Sequence, residues 1–161
     1  MATSGGNRTA KSLLLCRVGA KVCGLPLERV LETMRPLPAE PLAKLANFVT
    51  GIALIRGRPT PVVDARKLLG SDSEQPAARY VTLGVGEQAA PRVAALAVDA
   101  VLGVREVTAE LLAGLPGLLR EESSAAVTAL GTLDAELLLL LETARLLPEA
   151  VWEQLAREPT A

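Results

Sequence analysis

The amino-acid sequence predicts a mainly β protein built from two related small β-barrel subdomains, with short helices between strands and one helix at the C-terminus. Three observations carry this reading. Apolar residues fall in short runs bounded by Gly, Pro or charged residues, as in strands buried on one or both faces. The stretch Phe48 to Gly70 reads as a hairpin with a charged tip that passes into a helical turn. A weak internal repeat joins Leu27-Glu28-Arg29-Val30-Leu31 to Val98-Asp99-Ala100-Val101-Leu102, and Val63-Asp64-Ala65-Arg66-Lys67-Leu68-Leu69 to Leu141-Glu142-Thr143-Ala144-Arg145-Leu146-Leu147. The offsets are 71 and 78 residues, in the same order. Chance recurrence in a leucine-rich chain is the alternative to duplication.

The elements follow in order. Leu13 to Val18 and Val22 to Leu25 form a hairpin around Gly19-Ala20. Pro26 suits the first turn of a short helix carrying Leu27, Val30 and Leu31 on one face. Pro36, Pro38 and Pro41 mark an irregular connector, since none donates a backbone hydrogen bond. Phe48 to Ile55 is a strand, Arg56-Gly57-Arg58-Pro59 the tip, Pro61 to Asp64 the returning strand, and Ala65 to Leu69 a helical turn closed by Gly70. Residues 71–78 are polar and read as the connection between the two halves. Strands over Tyr80 to Gly84 and Val93 to Val98 follow, with Val101 to Val104 extended. Thr108 suits the cap of a short helix holding Leu111 and Leu112, and Gly114 to Ala126 reads as a loop. Val127 to Thr132 and Leu137 to Leu141 form a hairpin around Asp134-Ala135. A helix over Pro148 to Arg157 turns Val151, Trp152 and Leu155 inward, Trp152 either pinning the helix or forming a partner patch.

Composition narrows the function. The chain has 161 residues, half of them apolar and 22% charged, which suits one domain or two intimate subdomains with a real core. Net charge is -1 with no long run of one sign, so nothing attracts nucleic acid or an anionic membrane surface. There is no histidine, which removes the commonest general base and transition-metal ligand. One Phe, one Tyr and one Trp argue against stacking platforms for bases. The aliphatic run Leu137 to Leu141 is too short to cross a bilayer. Residues 1–10 lack an apolar signal core and read as a disordered tail, so a cytoplasmic protein without direct membrane contact is expected. Cys16 and Cys23 face each other across the predicted hairpin as reduced thiols, a cross-strand disulfide or a redox switch.

Phe48 to Gly70 resembles the central motif of the CheW family, the coupling proteins of bacterial chemotaxis, with Gly51, Arg56, Gly57, Pro61, Val62, Asp64 and Arg66 in register. The resemblance runs from about Lys11 to Leu147 and includes residues 24–32, Leu96 to Val101, and Leu130-Gly131 with Leu137 to Leu147. It implies a CheW-like domain over 11–147 made of two packed, five-stranded SH3-like barrels, followed by a helix and tail over 148–161. It also implies an adaptor, not an enzyme, with no cofactor or metal. The implied partners are the cytoplasmic tip of a chemoreceptor (a methyl-accepting chemotaxis protein) and the regulatory domain of a CheA-type histidine kinase. Receptor binding would use a groove between the subdomains near Arg56, Val30 and Glu32, and kinase binding the outer end of one barrel.

The sequence departs from the family at Leu54, where asparagine is usual, at Ala65, where leucine is common, and at Arg58-Pro59, where aliphatic residues stand. A divergent array organiser that binds receptors without the kinase is the alternative. A small β-barrel enzyme or ligand sensor is a third reading, but no nucleophile–base pair, phosphate loop or metal spacing supports it.

Single residues carry competing roles. Arg56 is a solvated turn charge or a presented donor fork. Gly57 supplies a backbone angle that other residues avoid. Asp64 caps the following turn or contacts a partner, and Arg66 reads as a surface charge. Val30 and Glu32 are either a core and a solvated residue or part of a receptor-facing groove. Asp99 reads as a structural hydrogen-bond acceptor.

Overall fold

Short apolar runs punctuated by Gly and Pro fold, in the computed structural model, as twelve strands among the described residues, which are 10–42, 46–70, 75–86, 92–108, 112–114, 127–133 and 136–157. The strands are β1 (Ala10–Val18), β2 (Lys21–Pro26), β3 (Val30–Met34), β4 (Ala39–Glu40), β5 (Val49–Ile55) and β6 (Arg58–Asp64). After the single-turn helix α1 (Ala65–Leu68) come β7 (Arg79–Val85), β8 (Arg92–Val98), β9 (Ala100–Thr108), β10 (Leu112–Gly114), β11 (Val127–Leu133), β12 (Glu136–Leu141) and the helix α2 (Glu149–Arg157).

The strands form two six-stranded sheets, ordered β10-β11-β12-β2-β1-β9 and β3-β7-β8-β6-β5-β4. Short edge strands, β4 and β10, extend each expected five-stranded arrangement by one. In the second sheet the two edges, β3 and β4, are consecutive in the chain, and Met34 and Ala39 from them pack on one interior cluster. The sheet therefore curls round on itself, as the two-barrel expectation requires.

The repeat seen in the sequence corresponds to equivalent places in the two sheets. Each contains a parallel pair at the same position in its order, β6 with β8 and β12 with β2. The second sheet runs without interruption from β3 to β8, whereas the first takes β9 to β12 from the C-terminal half and β1–β2 from the N-terminus. The chain thus passes between sheets at the 3-10 turn Leu27–Arg29 and returns at Asp99. The elements on either side of residues 71–78, β6 with α1 and β7, belong to the same sheet, so the connection between halves is not there.

Among the described residues, three apolar clusters form the core. Leu13, Leu15, Val22, Val107, Leu138 and Leu140 fill the first barrel. Ala53, Ile55, Val62, Tyr80, Ala95 and Ala97 fill the second. The largest lies between the sheets and takes Leu14, Cys16 and Val18 of β1, Leu25 of β2, Val81 and Leu83 of β7, and Leu96 and Val98 of β8. Successive residues of β1 enter different clusters, so both faces of the strand are buried and its sequence shows no polar alternation. Each fully buried leucine contributes about 2–3 kcal/mol.

Several local expectations gave way to tertiary pairing. The helix expected after Pro26 is a single 3-10 turn, because Val30 already pairs with Leu83 of β7. Leu31 is bulged out of that ladder, opposite no residue. The helix expected after Thr108 is absent at Leu112, which lies in β10, and Thr108 pairs with Ala10 at the end of β9. Residue 111, the turn at 134–135 and the expected tail over residues 1–9 lie outside the described residues, whereas Ala10 begins β1. Arg58 and Pro59 belong to β6, leaving Arg56-Gly57 as a two-residue turn. Pro59 is tolerated because β6 pairs with β8 only from Val62 to Asp64.

Arg66 is not a surface charge. It is 8% exposed. Its Nε donates to Asp99 Oδ2 at 3.1 Å, its Nη2 to Asp99 Oδ1, and its Nη1 to the Gln75 carbonyl at 2.8 Å. Asp99 also accepts from the Gly19 N–H at 2.6 Å, and its own N–H donates to the Arg17 carbonyl at 2.9 Å. One ion pair therefore ties α1, the second chain crossing and the β1–β2 turn together. Asp64 accepts from the N–H groups of Arg66 and Lys67 at 3.0 and 3.4 Å, which holds α1 in register to present Arg66. Replacing Arg66 with alanine leaves Asp99 without its countercharge. Urea unfolding of Arg66→Ala is expected to show a loss of about 2–4 kcal/mol; a change under about 0.5 kcal/mol contradicts this role.

Cys16 and Cys23 lie directly opposite each other on β1 and β2, as free thiols at 0% exposure. Burial pushes both thiols up to about 12, so neither forms the reactive thiolate near neutral pH. At pH 8 the folded protein is expected to leave a thiol-specific disulfide reagent unconsumed, and unfolding in denaturant to release two equivalents. Rapid labelling of the native protein would refute this.

Candidate functional site

The β5–β6 turn has two consecutive residues in the left-handed region of backbone conformation. Arg56 and Gly57 have φ of 52° and 76°, and Arg56 is the non-glycine with positive φ among the described residues. Two positive φ values match the type I′ turn that suits the twist of a hairpin. Glycine takes that conformation freely, whereas an arginine there costs about 1–2 kcal/mol.

The Arg56 side chain is nonetheless ordered. Its Nε and Nη2 donate to Glu32 Oε2 and Oε1, both at 2.8 Å, in a two-pronged pair. The pair stays in contact with solvent, with 76% of the Arg56 side chain exposed. Hydrogen bonding from Arg56 holds the Glu32 carboxyl below the usual carboxylate range. Glu32 is fixed from below, since its N–H donates to Thr82 Oγ1 at 3.1 Å and the Thr82 hydroxyl donates back to the Glu32 carbonyl at 3.3 Å. The bulge at Leu31 separates Val30 from Glu32 in the ladder.

This pair borders a groove of about 450 Å³ at one end of the second barrel. Leu31, Ile55, Pro59 and Val93 line it from the strands, and Trp152, Leu155 and Ala156 from α2. Leu31 is 59% exposed beside it. The helix is held in place by Val151 and Trp152, which are buried in the inter-sheet core. Arg92 fastens it further, donating to both carboxylate oxygens of Glu149 at 2.9 and 2.8 Å while its guanidinium lies 5.1 Å from the centre of the Trp152 ring.

Of the residues singled out in the sequence, Arg56 and Glu32 are brought together and Gly57 completes their turn. Val30 is elsewhere: half-buried, it packs against the inter-sheet core. Asp64 caps α1 away from the groove. The cleft between the sheets is a separate feature of about 850 Å³, lined by residues such as Lys11, Pro26, Glu28, Arg29 and Glu142, and Arg56 and Glu32 do not border it. The sequence reading did not foresee α2 as a wall of the groove, nor Arg92. The inward stripe of Val151, Trp152 and Leu155 was the available signal, but nothing local says which surface such a stripe will cover.

The groove has apolar walls and a rim of charge, which suits binding a polypeptide segment. Among the described residues, no group of three or more His, Cys, Asp or Glu could hold a metal ion. No helix among them is long and apolar enough to cross a membrane.

Comparison with known proteins agrees with this architecture. The CheW-like domain model matches residues 12–151. The chain is similar to a chemotaxis protein CheW of Rhizobium meliloti, 31% identical over 106 residues that cover 66% of this chain and 64% of that protein. It is 33% identical to protein FrzA of Myxococcus xanthus over 100 residues, 62% of this chain and 61% of that one. The matched stretch thus spans just under two thirds of each of these relatives. A probable chemotaxis protein CheW of Rhizobium etli is 24% identical across 89% of this chain and 91% of its own length. The fold resembles the crystal structure of a scaffolding protein, TtCheW of Thermoanaerobacter tengcongensis, with a TM-score of 0.70 at 20% identity over 83% of this chain and 90% of that one. The chain belongs to the CheW-like domain family.

Proposed function

We propose that the protein is a non-enzymatic adaptor that couples the cytoplasmic tip of a chemoreceptor to the regulatory domain of a CheA-type histidine kinase in a cytoplasmic chemosensory array. Family membership supports the class of function, and the Arg56–Glu32 pair supports the place of receptor docking. A protein keeps a cation in a costly backbone conformation where the side chain has a use there. Here a pre-positioned guanidinium meets solvent beside an apolar groove, so a partner finds the donor already ordered. The groove contributes apolar burial and the pair contributes orientation. Adaptor action needs no reaction centre, because holding receptor and kinase on one body raises the effective concentration of each near the other. A signal passes if the adaptor's contacts differ in free energy between signalling states.

Two departures from the family pattern favour a second reading, in which the protein organises receptors without engaging the kinase. Leu54 is 66% exposed, and Arg58-Pro59 enters the strand opposite it. Titration against the isolated kinase regulatory domain separates the two readings, since binding supports the coupler and its absence supports the organiser.

Co-sedimentation with a receptor cytoplasmic fragment tests docking directly. Arg56→Asn removes the guanidinium while placing a residue more tolerant of positive φ in the turn. The variant is expected to melt within about 3 °C of the parent or above it and to bind receptor fragment at least about tenfold more weakly. Unchanged affinity would disprove the role given to Arg56.

The pair also sets a pH dependence. The lowered Glu32 pKa means that the ion pair is fully present above the ordinary carboxylate range and is lost as pH falls through the lowered value. Receptor binding is expected to be flat from pH 8 to pH 6, a range in which both groups keep their charge; a fall in affinity across it argues against the pair.

A further inference from the structure

We propose that Arg58 is a specificity-determining residue of the groove, and that the groove takes an amphipathic segment of a partner protein with a carboxylate directed at Arg58. This rests on the reading of the groove as the receptor-docking site. Four charged side chains line it, Glu32, Arg56, Arg58 and Arg92. Three are cations, and carboxylates pair with two of them. Two of the three are committed within the fold, Arg56 to Glu32 and Arg92 to Glu149. The exposed Arg58 guanidinium makes no hydrogen bond or ion pair among the described residues. It is therefore the one of the three cations without a carboxylate partner within the fold, so an incoming carboxylate meets a whole charge there, whereas Arg56 offers only its remaining donors.

The backbone beneath it is fixed. Pro59 follows directly, and the Arg58 carbonyl accepts from Thr60 Oγ1 at 3.0 Å. The side chain thus projects from a rigid strand rather than a mobile loop. Leu31, Val93 and Leu155 offer apolar area within the same groove. A matching segment carries aliphatic residues on one face and an aspartate or glutamate at its edge, paired with the arginine as a bidentate fork.

The test is calorimetric titration of a receptor cytoplasmic-tip fragment into the parent protein, Arg58→Gln, Arg58→Glu and Arg79→Glu. The last changes net charge equally but lies outside the groove. Thermal melts establish that each variant is folded. The proposal predicts that Arg58→Gln weakens binding about threefold and Arg58→Glu about tenfold or more, with a shallower salt dependence, while Arg79→Glu stays within about twofold. Parent-like binding by Arg58→Glu, or equal weakening by Arg58→Glu and Arg79→Glu, overturns the proposal and leaves the adaptor reading standing. No binding by the parent protein overturns both.

Discussion

The inter-sheet core is the constraint on which the rest of the molecule depends. β1, β2, β7 and β8 bury residues between the two sheets, and two of the strands belong to a sheet whose other members come from the opposite end of the chain. The second sheet is a contiguous piece of sequence, β3 to β8, but the first is completed only by joining β1–β2 to β9–β12, unlike a simple tandem repeat. The two crossings must therefore be held in register. Arg66, Asp99 and the Gly19 N–H do this at one crossing. At the other, Arg29 donates to the Gly86 carbonyl at 2.8 Å, at the end of β7. Each crossing is fastened to a glycine, though by different chemistry: the Asp99 carboxylate accepts from the Gly19 N–H, and the Arg29 guanidinium donates to the Gly86 carbonyl.

The groove beside the Arg56–Glu32 pair inherits its rigidity from that core. One wall is the end of the second barrel, where β3, β5, β6, β7 and β8 contribute side chains. The other is α2, whose Val151 and Trp152 reach into the inter-sheet cluster. A groove built across two such elements keeps its shape only while the core between them is intact. This gives a physical meaning to the scaffold role. Most of the molecule sets the distance and orientation of a small surface.

Much of this was legible in the sequence, for reasons particular to each element. The hairpins at Gly19-Ala20 and Arg56-Gly57 were plain because turn residues stood between apolar runs. The repeat was visible because the crossings and the acid-bearing turns are the parts least free to vary in a duplicated barrel. Arg56 was conspicuous as a charge at a strand end, and its partner lay in a segment already noted for Glu32. Other features depended on pairing that sequence does not display. Arg66 looked solvated because its partner, Asp99, lies 33 residues away. Val30 and Leu31 looked helical by spacing, but the ladder with β7 claimed them and bulged Leu31 outward. Val30 looked like a groove residue beside Glu32, yet the bulge at Leu31 breaks the alternation between them and Val30 packs against the inter-sheet core.

The most direct measurement of the central claim uses Trp152, the chain's single tryptophan, which forms part of the groove wall. Its fluorescence, followed during titration with a receptor cytoplasmic-tip fragment, should shift saturably, and isotope-labelled protein should show the largest resonance changes at Leu31, Glu32, Arg56 and the Trp152 indole. A saturable complex in which those signals stay still, while residues of the inter-sheet cleft such as Lys11 and Glu28 move, would contradict the account.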